Sequence, residues 1–253
     1  MKISIITVTF NSELYIADCL ASVKAQKYHN IEHIVIDGGS TDKTTSIVKK
    51  FPHIKKIVSE PDEGIYDAMN KGISFATGGI IGFLNSDDFY TNNEVISSIV
   101  KKFESDLSLD ACYADLIYVD QLNVSKTIRY FKSCKFKEEL FSKGWCPPHP
   151  TFFVRQSVYE RFGKFDLTYN IASDVDLMMR FLEKYKIKSL YTPNVWVKMR
   201  MGGTTNKNLK NIWLQNKEIL NSLNSNGLTV NPIRFFAYKI ISRLFQFFKR
   251  PSV

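Results

Sequence analysis

Cysteine is scarce in this chain of 253 residues and carries no pattern. Cys19, Cys112, Cys134 and Cys146 form no C-x-x-C pair and no metal-ligand spacing, so the sequence predicts reduced thiols rather than a disulfide framework. Long apolar runs are also missing: none approaches the ~20 residues that span a bilayer. Met1-Lys2 runs directly into ISIITVTF with no small-residue cleavage site, which predicts a cytoplasmic protein without a secretory signal. Repeats and low-complexity segments are absent. The G-x-G-x-x-G signature does not follow the first strand, which argues against NAD. Acidic residues are nearly missing from one region. Residues 201–253 hold eight Lys/Arg against Glu218 alone, hence +7, whereas residues 1–200 hold 26 basic and 24 acidic residues, hence +2. A nearly neutral body thus carries a basic tail, a charge pattern that suits anionic lipid or nucleic acid.

What is present is an alternation of short apolar strands and amphipathic helices. The 44% hydrophobic content and the length suit one large α/β domain with a tail. ISIITVTF (3–10), EHIVI (32–36), 55–59 and IIGFL (80–84) read as buried strands, with helices between them beginning near Ser12, near Ser40-Thr41 and near Gly64. The order β-α-β-α-β-α-β predicts parallel strands with right-handed crossovers. In the third helix Ile65, Met69, Ile73 and Ala76 recur at a helical period, and Gly78-Gly79 ends it.

Polar residues cluster at the strand ends: Thr9 and Asn11, then Asp37, then Glu60 and Asp62, then Asp87 and Asp88. In a parallel sheet these all lie along one edge, where open α/β sheets bind their ligands. Adjacent aspartates repel unless a cation lies beside them. Mg²⁺ or Mn²⁺ takes oxygen ligands, often one or two carboxylates together with substrate phosphates. A polar turn capping the next helix is the plain alternative for Asp87-Asp88, and holding its own turn is the alternative for Asp37.

Further along, 94–103 reads as a helix, and 111–119 and 127–131 read as strands paired antiparallel. GWCPPHP (144–150) is a rigid loop that mounts His149 before the strand-like TFFV. SDVDLMMR (173–180) opens a helix at Ser173 or Asp174. There an acid serves either as a simple cap at the positive helix end or as a chemical group, and Asp176 stands at i, i+4 from Arg180. Arg200 leads a glycine-containing loop, RMGGTT (200–205), read either as a lid over a ligand or as an ordinary turn.

GIYDAMNKGI followed by FLNSDD resembles the family 2 glycosyltransferases of the GT-A fold, in particular a branch used in bacterial surface-polysaccharide synthesis. TVTFNS, VIDGGSTD and SDVDLMMR are similar to that family's nucleotide-binding and general-base segments. The resemblance covers residues 1–205 and implies an α/β fold of GT-A type: a mostly parallel Rossmann-like open sheet with helices on both faces, followed by C-terminal helices. It implies a nucleotide-sugar donor, most simply UDP-linked, with Thr9 and Asn11 lining the base pocket and Asp37 bonding the base. Asp67 and Lys71 would lie beside the ribose or phosphates, Lys71 supplying a charge that many relatives place at the position of Met69. Arg200 would meet the diphosphate. Asp87 first and Asp88 second would hold Mg²⁺ or Mn²⁺; Asn85 or Ser86 stands where the family's metal motif has its first Asp. Asp174 matches the family's general base, with Ser173 in place of the usual Glu and Asp176 as the second candidate. His149 falls in a segment near the acceptor. The implied reaction is an inverting transfer to a hydroxyl of a glycan or lipid-linked oligosaccharide. A nucleic-acid-binding protein and a nucleotidyltransferase are the rival classes.

The tail, 206–253, lies outside the resemblance. It reads as a helix over 206–223 and a second over 233–250. In the second, Ile233, Phe236, Ala237, Ile240, Ile241, Leu244, Phe247 and Phe248 gather on one face, and Lys239, Ser242, Arg243, Gln246, Lys249 and Arg250 on the other. A basic amphipathic helix predicts a peripheral anchor on the inner face of the cytoplasmic membrane, with packing on the domain or a dimer contact as the alternatives.

Overall fold

The structure is a computed structural model and describes residues 1–202 and 209–248. Its frame is one sheet, ordered β3-β2-β1-β4-β8-β6-β9-β5, with β7 paired to β6. The N-terminal strands are β1 Ile3–Thr9, β2 Ile31–Asp37, β3 Ile54–Ser59 and β4 Ile80–Phe83. They pair in parallel, as their alternation with helices predicts. β1 and β4 are buried at every position, because helices cover both faces of the sheet and no residue of a central strand reaches water.

The C-terminal strands are β5 Asp88–Tyr90, β6 Ala111–Val119, β7 Thr127–Phe131, β8 Phe153–Arg155 and β9 Ser189–Arg200. Here the sheet is mixed. β8 runs antiparallel to β4 and β6, β7 to β6 and β5 to β9, while β6 and β9 are parallel. The physical reason lies in the connections. A parallel pair needs a crossover of a dozen or more residues, and β6 turns into β7 through the short Asp120–Lys126 loop. The β6–β7 pairing matches the sequence reading. β5 does not figure in it: Asp88 begins a strand paired with Met199 rather than sitting in a free loop.

Helices α1 Ile16–Lys24, α2 Thr44–Val48 and α4 Val95–Ser105 cover one face, where Cys19, Val23, Ile96, Ile99 and Phe103 pack on Ile3, Ile5 and Ile80. Helices α3 Ile65–Phe75, α5 Gln156–Phe162 and α6 Ser173–Met179 cover the other, over Ile6, Ile34 and Phe83. α3 lies tight against β1: a Cβ on Gly72 would meet Ile6 Cγ2 at 2.4 Å, so only glycine permits this approach. Its buried residues are Tyr66, Ala68, Met69, Gly72 and Ile73. Ile65, expected on the buried stripe, is 48% exposed, because the stripe begins one residue later.

The tail forms α7 Leu209–Ser225 and α8 Pro232–Phe248. Ile219, Leu223 and Phe235 belong to the same core as α3, α5 and α6, so both helices are docked on the body. Residues 203–208, 249 and 250, which include part of the expected lid and of the expected basic face, lie outside the described residues. Among those described, no helix is long and apolar enough to cross a membrane.

Candidate active site

β2 and β4 flank β1 on opposite sides, so the chain reverses its direction of travel across the sheet beside β1. At such a switch point the loops leaving neighbouring strands diverge and open a crevice. A cavity of about 1030 Å³ occupies it and extends under α7 and α8. Three carboxylates line it among the described residues: Asp62, Asp87 and Asp174.

On one side lie Thr9, Phe10, Asn11, Gly38 and Asp62. Asn11 ties the ends of β1 and β2 together: its N–H donates to Ser40 Oγ (2.8 Å) and its Oδ1 accepts from the Thr41 N–H (2.9 Å). It does so from a left-handed backbone, φ 47°, which Asn tolerates better than most residues. The Phe10 ring is 61% exposed. A Cβ on Gly38 would lie 3.0 Å from Asp62 Oδ2 and 3.6 Å from the Phe10 ring, so glycine keeps this corner open. Asp62 was visible in the sequence only as one polar strand end among several; the fold half-buries it and places it in the cavity lining.

Asp37 does not line the cavity. Its carboxylate accepts from the Ser40 N–H (3.0 Å), from the Ser40 hydroxyl and from the Ser59 hydroxyl (2.6 Å), and it is almost fully buried. These three bonds are made within the β2 turn and with the end of β3; they fit the turn-holding alternative and leave a carboxylate lone pair over. Asp67 and Lys71 also stay outside the lining. Asp67 accepts from the Glu63 N–H (3.1 Å), and Lys71 pairs with Asp62 (2.6 Å), Glu60 (3.1 Å) and Asp67 (3.3 Å). Lys71 therefore bears on the cavity by holding Asp62.

The floor is the Asn85–Asp88 turn. Asp87 lines the cavity, and burial raises its carboxyl above the ordinary value, with the Arg200 guanidinium opposing. Asp88 sits behind it, fully buried. Burial and then the Asp87 charge push its carboxyl well up, and among the described residues only the Asn85 Nδ2 side chain donates to it, at 3.2 Å. Among the described residues, Asp88 Oδ1, Asn85 Oδ1 and Thr9 Oγ1 are buried with no hydrogen-bond partner. Orphaned oxygens beside two carboxylates suit a hard divalent cation, whose charge would offset their desolvation. Among the described residues no group of three or more His, Cys, Asp or Glu could by itself hold a metal; Mg²⁺ sites completed by substrate phosphates and water commonly use fewer.

Arg200 ends β9 and lines the cavity, but as fixed wall. It is 4% exposed, ion-pairs with Asp18, donates to the Asp87 carbonyl (2.9 Å) and lies over the Tyr15 and Phe89 rings. Arg200 is thus held in place, paired through its backbone with Val119 of β6, while residues 203–205 of the RMGGTT loop lie outside the described residues.

On the opposite side stand His149 and Asp174. α6 carries no side-chain cap from Ser173 or Asp174. Glu218 of α7 takes that role, accepting from the N–H groups of Asn170, Ile171 and Ala172 at 3.0, 2.9 and 2.9 Å. Asp174 makes no capping hydrogen bond, although it stands in the first turn at the positive end of α6. It lines the cavity, and the Tyr66 hydroxyl lies 3.0 Å from its Oδ1 and 2.7 Å from the Ile171 carbonyl, which share its proton. Asp176 faces away. It is 3% exposed, pairs with Arg180 (2.8 Å) and accepts from Ser222 (2.6 Å) and Asn226 (3.2 Å). The second base candidate thus fastens α6 to α7. His149 stacks on Phe83 (5.6 Å) and meets Phe165 edge-on (5.9 Å). Burial lowers its pKa against the opposing pull of Asp174, so the imidazole is neutral at pH 7. Tyr66 and the α7–α8 wall, which includes Gln215, Lys239, Arg243 and Gln246, are the site residues that sequence reasoning missed. The tail's polar heptad positions were the only signal, and they read equally well as a solvated face.

The family model for glycosyl transferase family 2 matches residues 4–163. The chain is 31% identical over 182 residues to a PGL/p-HBAD biosynthesis glycosyltransferase of Mycobacterium bovis, covering 70% of this chain and 68% of the relative. Among solved structures it is similar to S. aureus TarS 1–349 in complex with UDP-GlcNAc, with TM-score 0.68, 20% identity and coverage of 98% of this chain and 73% of the other. It is also similar to a mannosyltransferase of Pyrobaculum calidifontis in complex with GDP-Man and Mn²⁺, with TM-score 0.65, 17% identity and coverage of 95% and 69%. A switch-point cavity edged by carboxylates on a sheet of GT-A type, together with these matches, leads to one conclusion: the chain belongs to glycosyl transferase family 2 and is a glycosyltransferase.

Proposed function

We propose that the protein is an inverting, metal-dependent glycosyltransferase of bacterial surface-polysaccharide synthesis, moving a sugar from a nucleotide-sugar, UDP-linked in the simplest case, to a hydroxyl of a glycan or lipid-linked oligosaccharide. The observation that carries this reading is the placement of Asp87 and Asp174 in one cavity, the first with a partly desolvated carboxylate, the second without a capping hydrogen bond to its helix.

Thr9, Phe10, Asn11 and Asp62 form the nucleoside end. The exposed Phe10 ring offers a face for the base, and the Asp62 carboxylate accepts from a base or ribose donor. Asp37 shapes this end by fixing the Gly38-Gly39 turn. Asp87, with Asp88 behind it, would hold Mg²⁺ or Mn²⁺, which when bound supplies positive charge against the departing nucleoside diphosphate. The similarity to a structure containing Mn²⁺ supports a divalent ion. On the acceptor side Asp174 takes the proton of the attacking hydroxyl. The Tyr66 hydroxyl orients one carboxylate oxygen and leaves the other for the acceptor. His149, neutral and clamped between Phe83 and Phe165, lines the same wall as a positioning group. A single displacement by the acceptor oxygen requires one base and no protein nucleophile, and it inverts the anomeric centre.

Attachment to the inner face of the cytoplasmic membrane is supported by the orientation of α8. Phe235 is fully buried and Gln246 nearly so, whereas Ile233, Ile240, Ile241, Leu244 and Phe247 are between 45% and 81% exposed. The apolar face points outward, in reverse of a soluble amphipathic helix, and a lipid surface would cover it.

The test is thermal stabilisation by UDP, GDP, CMP and NAD, each with and without Mn²⁺. A ligand at a hundred times its Kd stabilises by about 2.7 kcal/mol. We expect one nucleoside diphosphate to shift the midpoint only with Mn²⁺, and the shift to vanish in Asp87→Ala. A folded protein indifferent to all four would overturn the assignment.

A further inference from the structure

The acceptor end of the cavity is unusually cationic. Arg129 of β7 and Lys239 and Arg243 of α8 all line it. Among the described residues none of the three forms an ion pair with a carboxylate. Lys239 donates to Asn216 Oδ1 at 2.6 Å, and its ammonium stands over the Phe235 ring at 5.4 Å. Arg129 lies over the Tyr118 ring at 3.8 Å, and its buried Nε has no hydrogen-bond partner. Burial and then the neighbouring Arg243 push the Lys239 ammonium down to about 8, and burial followed by Arg129 lowers Arg243. Among the described residues the carboxylate that acts on Lys239 is Asp174, after the Cys146 thiol, and Arg129 and Arg243 both act on Tyr118, which the Asp88 charge also reaches.

Three partly desolvated like charges destabilise the free protein unless something compensates them. The cluster is not required to hold the helix, because Phe235 anchors α8 and Asn216 satisfies Lys239. Its elements are separate in sequence, β7 and the last helix, and they meet only in the fold. Guanidinium groups in a partly dry pocket match the geometry of phosphate oxygens.

We propose that Arg129, Lys239 and Arg243 form a phosphate-binding subsite for the acceptor, so that the acceptor is an anionic, phosphate-bearing glycan or glycolipid rather than a neutral sugar. This rests on the transferase reading above and adds its substrate class. The subsite lies on the Asp174 side of the cavity, so a bound phosphate anchors the acceptor while a nearby hydroxyl meets the base. The phosphate has two chemical sources: a diphosphate joining a glycan to a lipid, or phosphodiesters within the glycan.

The experiment is calorimetric titration of the full chain, saturated with Mn²⁺ and whichever nucleoside diphosphate it binds so that the donor site is filled. The probes are farnesyl diphosphate, for the lipid source, and a glycerol-phosphate hexamer, for the polymer source. The proteins are wild type, Arg243→Gln, Arg129→Gln and, as a charge-matched control, Lys50→Gln, which changes an exposed lysine elsewhere. We expect wild type and Lys50→Gln to bind one probe alike. Arg243→Gln and Arg129→Gln should bind it roughly tenfold or more weakly, the loss of one charge-assisted contact, with nucleotide affinity unchanged. The probe that binds identifies the source. Equal affinity across all four proteins, or no binding of either probe by folded wild type, overturns the proposal. The two substitutions lie on different elements, so misfolding of one leaves the other to decide. If wild type ignored every nucleotide yet bound a probe in an Arg243-dependent way without nucleotide, the donor reading would fall and the phosphate subsite would stand.

Discussion

At the scale of single residues the site is decided by which carboxylates are already occupied. Asp37, Asp174 and Asp176 look alike in the sequence, each an acid beside a turn or helix start. In the fold Asp37 accepts three hydrogen bonds within its own neighbourhood, Asp176 is held by Arg180, Ser222 and Asn226, and Asp174 has the Tyr66 hydroxyl and the cavity. The two α6 acids therefore separate in their mutant phenotypes. Asp174→Asn should lower kcat by about 10²–10⁴, with the thermal midpoint and Mn²⁺-dependent nucleotide affinity close to wild type. Asp176→Asn should instead destabilise by roughly 3 kcal/mol, because Arg180 is left buried beside a neutral group, and its residual folded fraction should keep its kcat. Steady-state kinetics together with denaturant unfolding distinguish the two, and the reverse pattern would exchange their roles.

At the scale of elements, α7 and α8 complete the site. Glu218 is the only acid of the tail, and it is spent on three N–H groups at the start of α6. Glu218→Ala leaves the buried Ala172 N–H and the partly buried Ile171 N–H without their partner, which should cost about 1–3 kcal/mol and release the turn that aims Asp174. Thermal unfolding and kcat measured together should both fall, and a drop in only one would refute the linkage. α8 makes a different prediction. Ile240 and Leu244 are 58% and 56% exposed, so replacing both with Ser should leave the thermal midpoint within a degree or two. Binding to vesicles containing phosphatidylglycerol should weaken by roughly tenfold or more, since each buried methylene contributes about 0.8 kcal/mol. Unchanged sedimentation with such vesicles would argue that the face is covered by something other than lipid.

For the molecule as a whole, buried titratable groups set opposing pH dependences. His33 in β2 is fully buried and hydrogen-bonded to Thr7 Oγ1 and His53 Nε2, both at 3.0 Å; burial and then the second imidazole push its pKa down to about 3. Between pH 3 and about 6.5 the unfolded chain binds a proton at His33 that the folded chain does not. The associated stability is complete above pH 6.5 and is lost as pH falls toward 3, by about 1.4 kcal/mol per pH unit where the difference is one full proton. Asp87 and Asp88, whose pKa values are raised, act in the opposite sense: acid relieves them. Comparing wild type with His33→Asn cancels the carboxylates. The stability advantage of wild type over the variant, followed by thermal unfolding, should therefore shrink between pH 7 and pH 5. An advantage that stayed constant or grew would show that His33 does not titrate in this way.

The sequence by itself determined the alternation of strands and helices, the parallel first half of the sheet, the edge where its polar residues gather and the amphipathic character of α8. All of these follow from local periodicity and turn chemistry, which act over a few residues. Only the tertiary structure decided that Asp62 rather than Asp37 lines the cavity, that Asp174 rather than Asp176 lines it too, that Arg200 is held against Asp18 and the Asp87 carbonyl, and that Lys239 and Arg243 turn inward. Each of those outcomes depends on a partner distant in the chain. Lys71 holds Asp62 across one strand-to-helix connection, Ser222 and Glu218 bind α6 from α7, Asp18 of α1 pairs with Arg200, and Phe235 fastens α8 to the core. Side-chain identity sets what a group can do, and packing over tens of residues decides which way it points and whether its hydrogen-bonding capacity is already used.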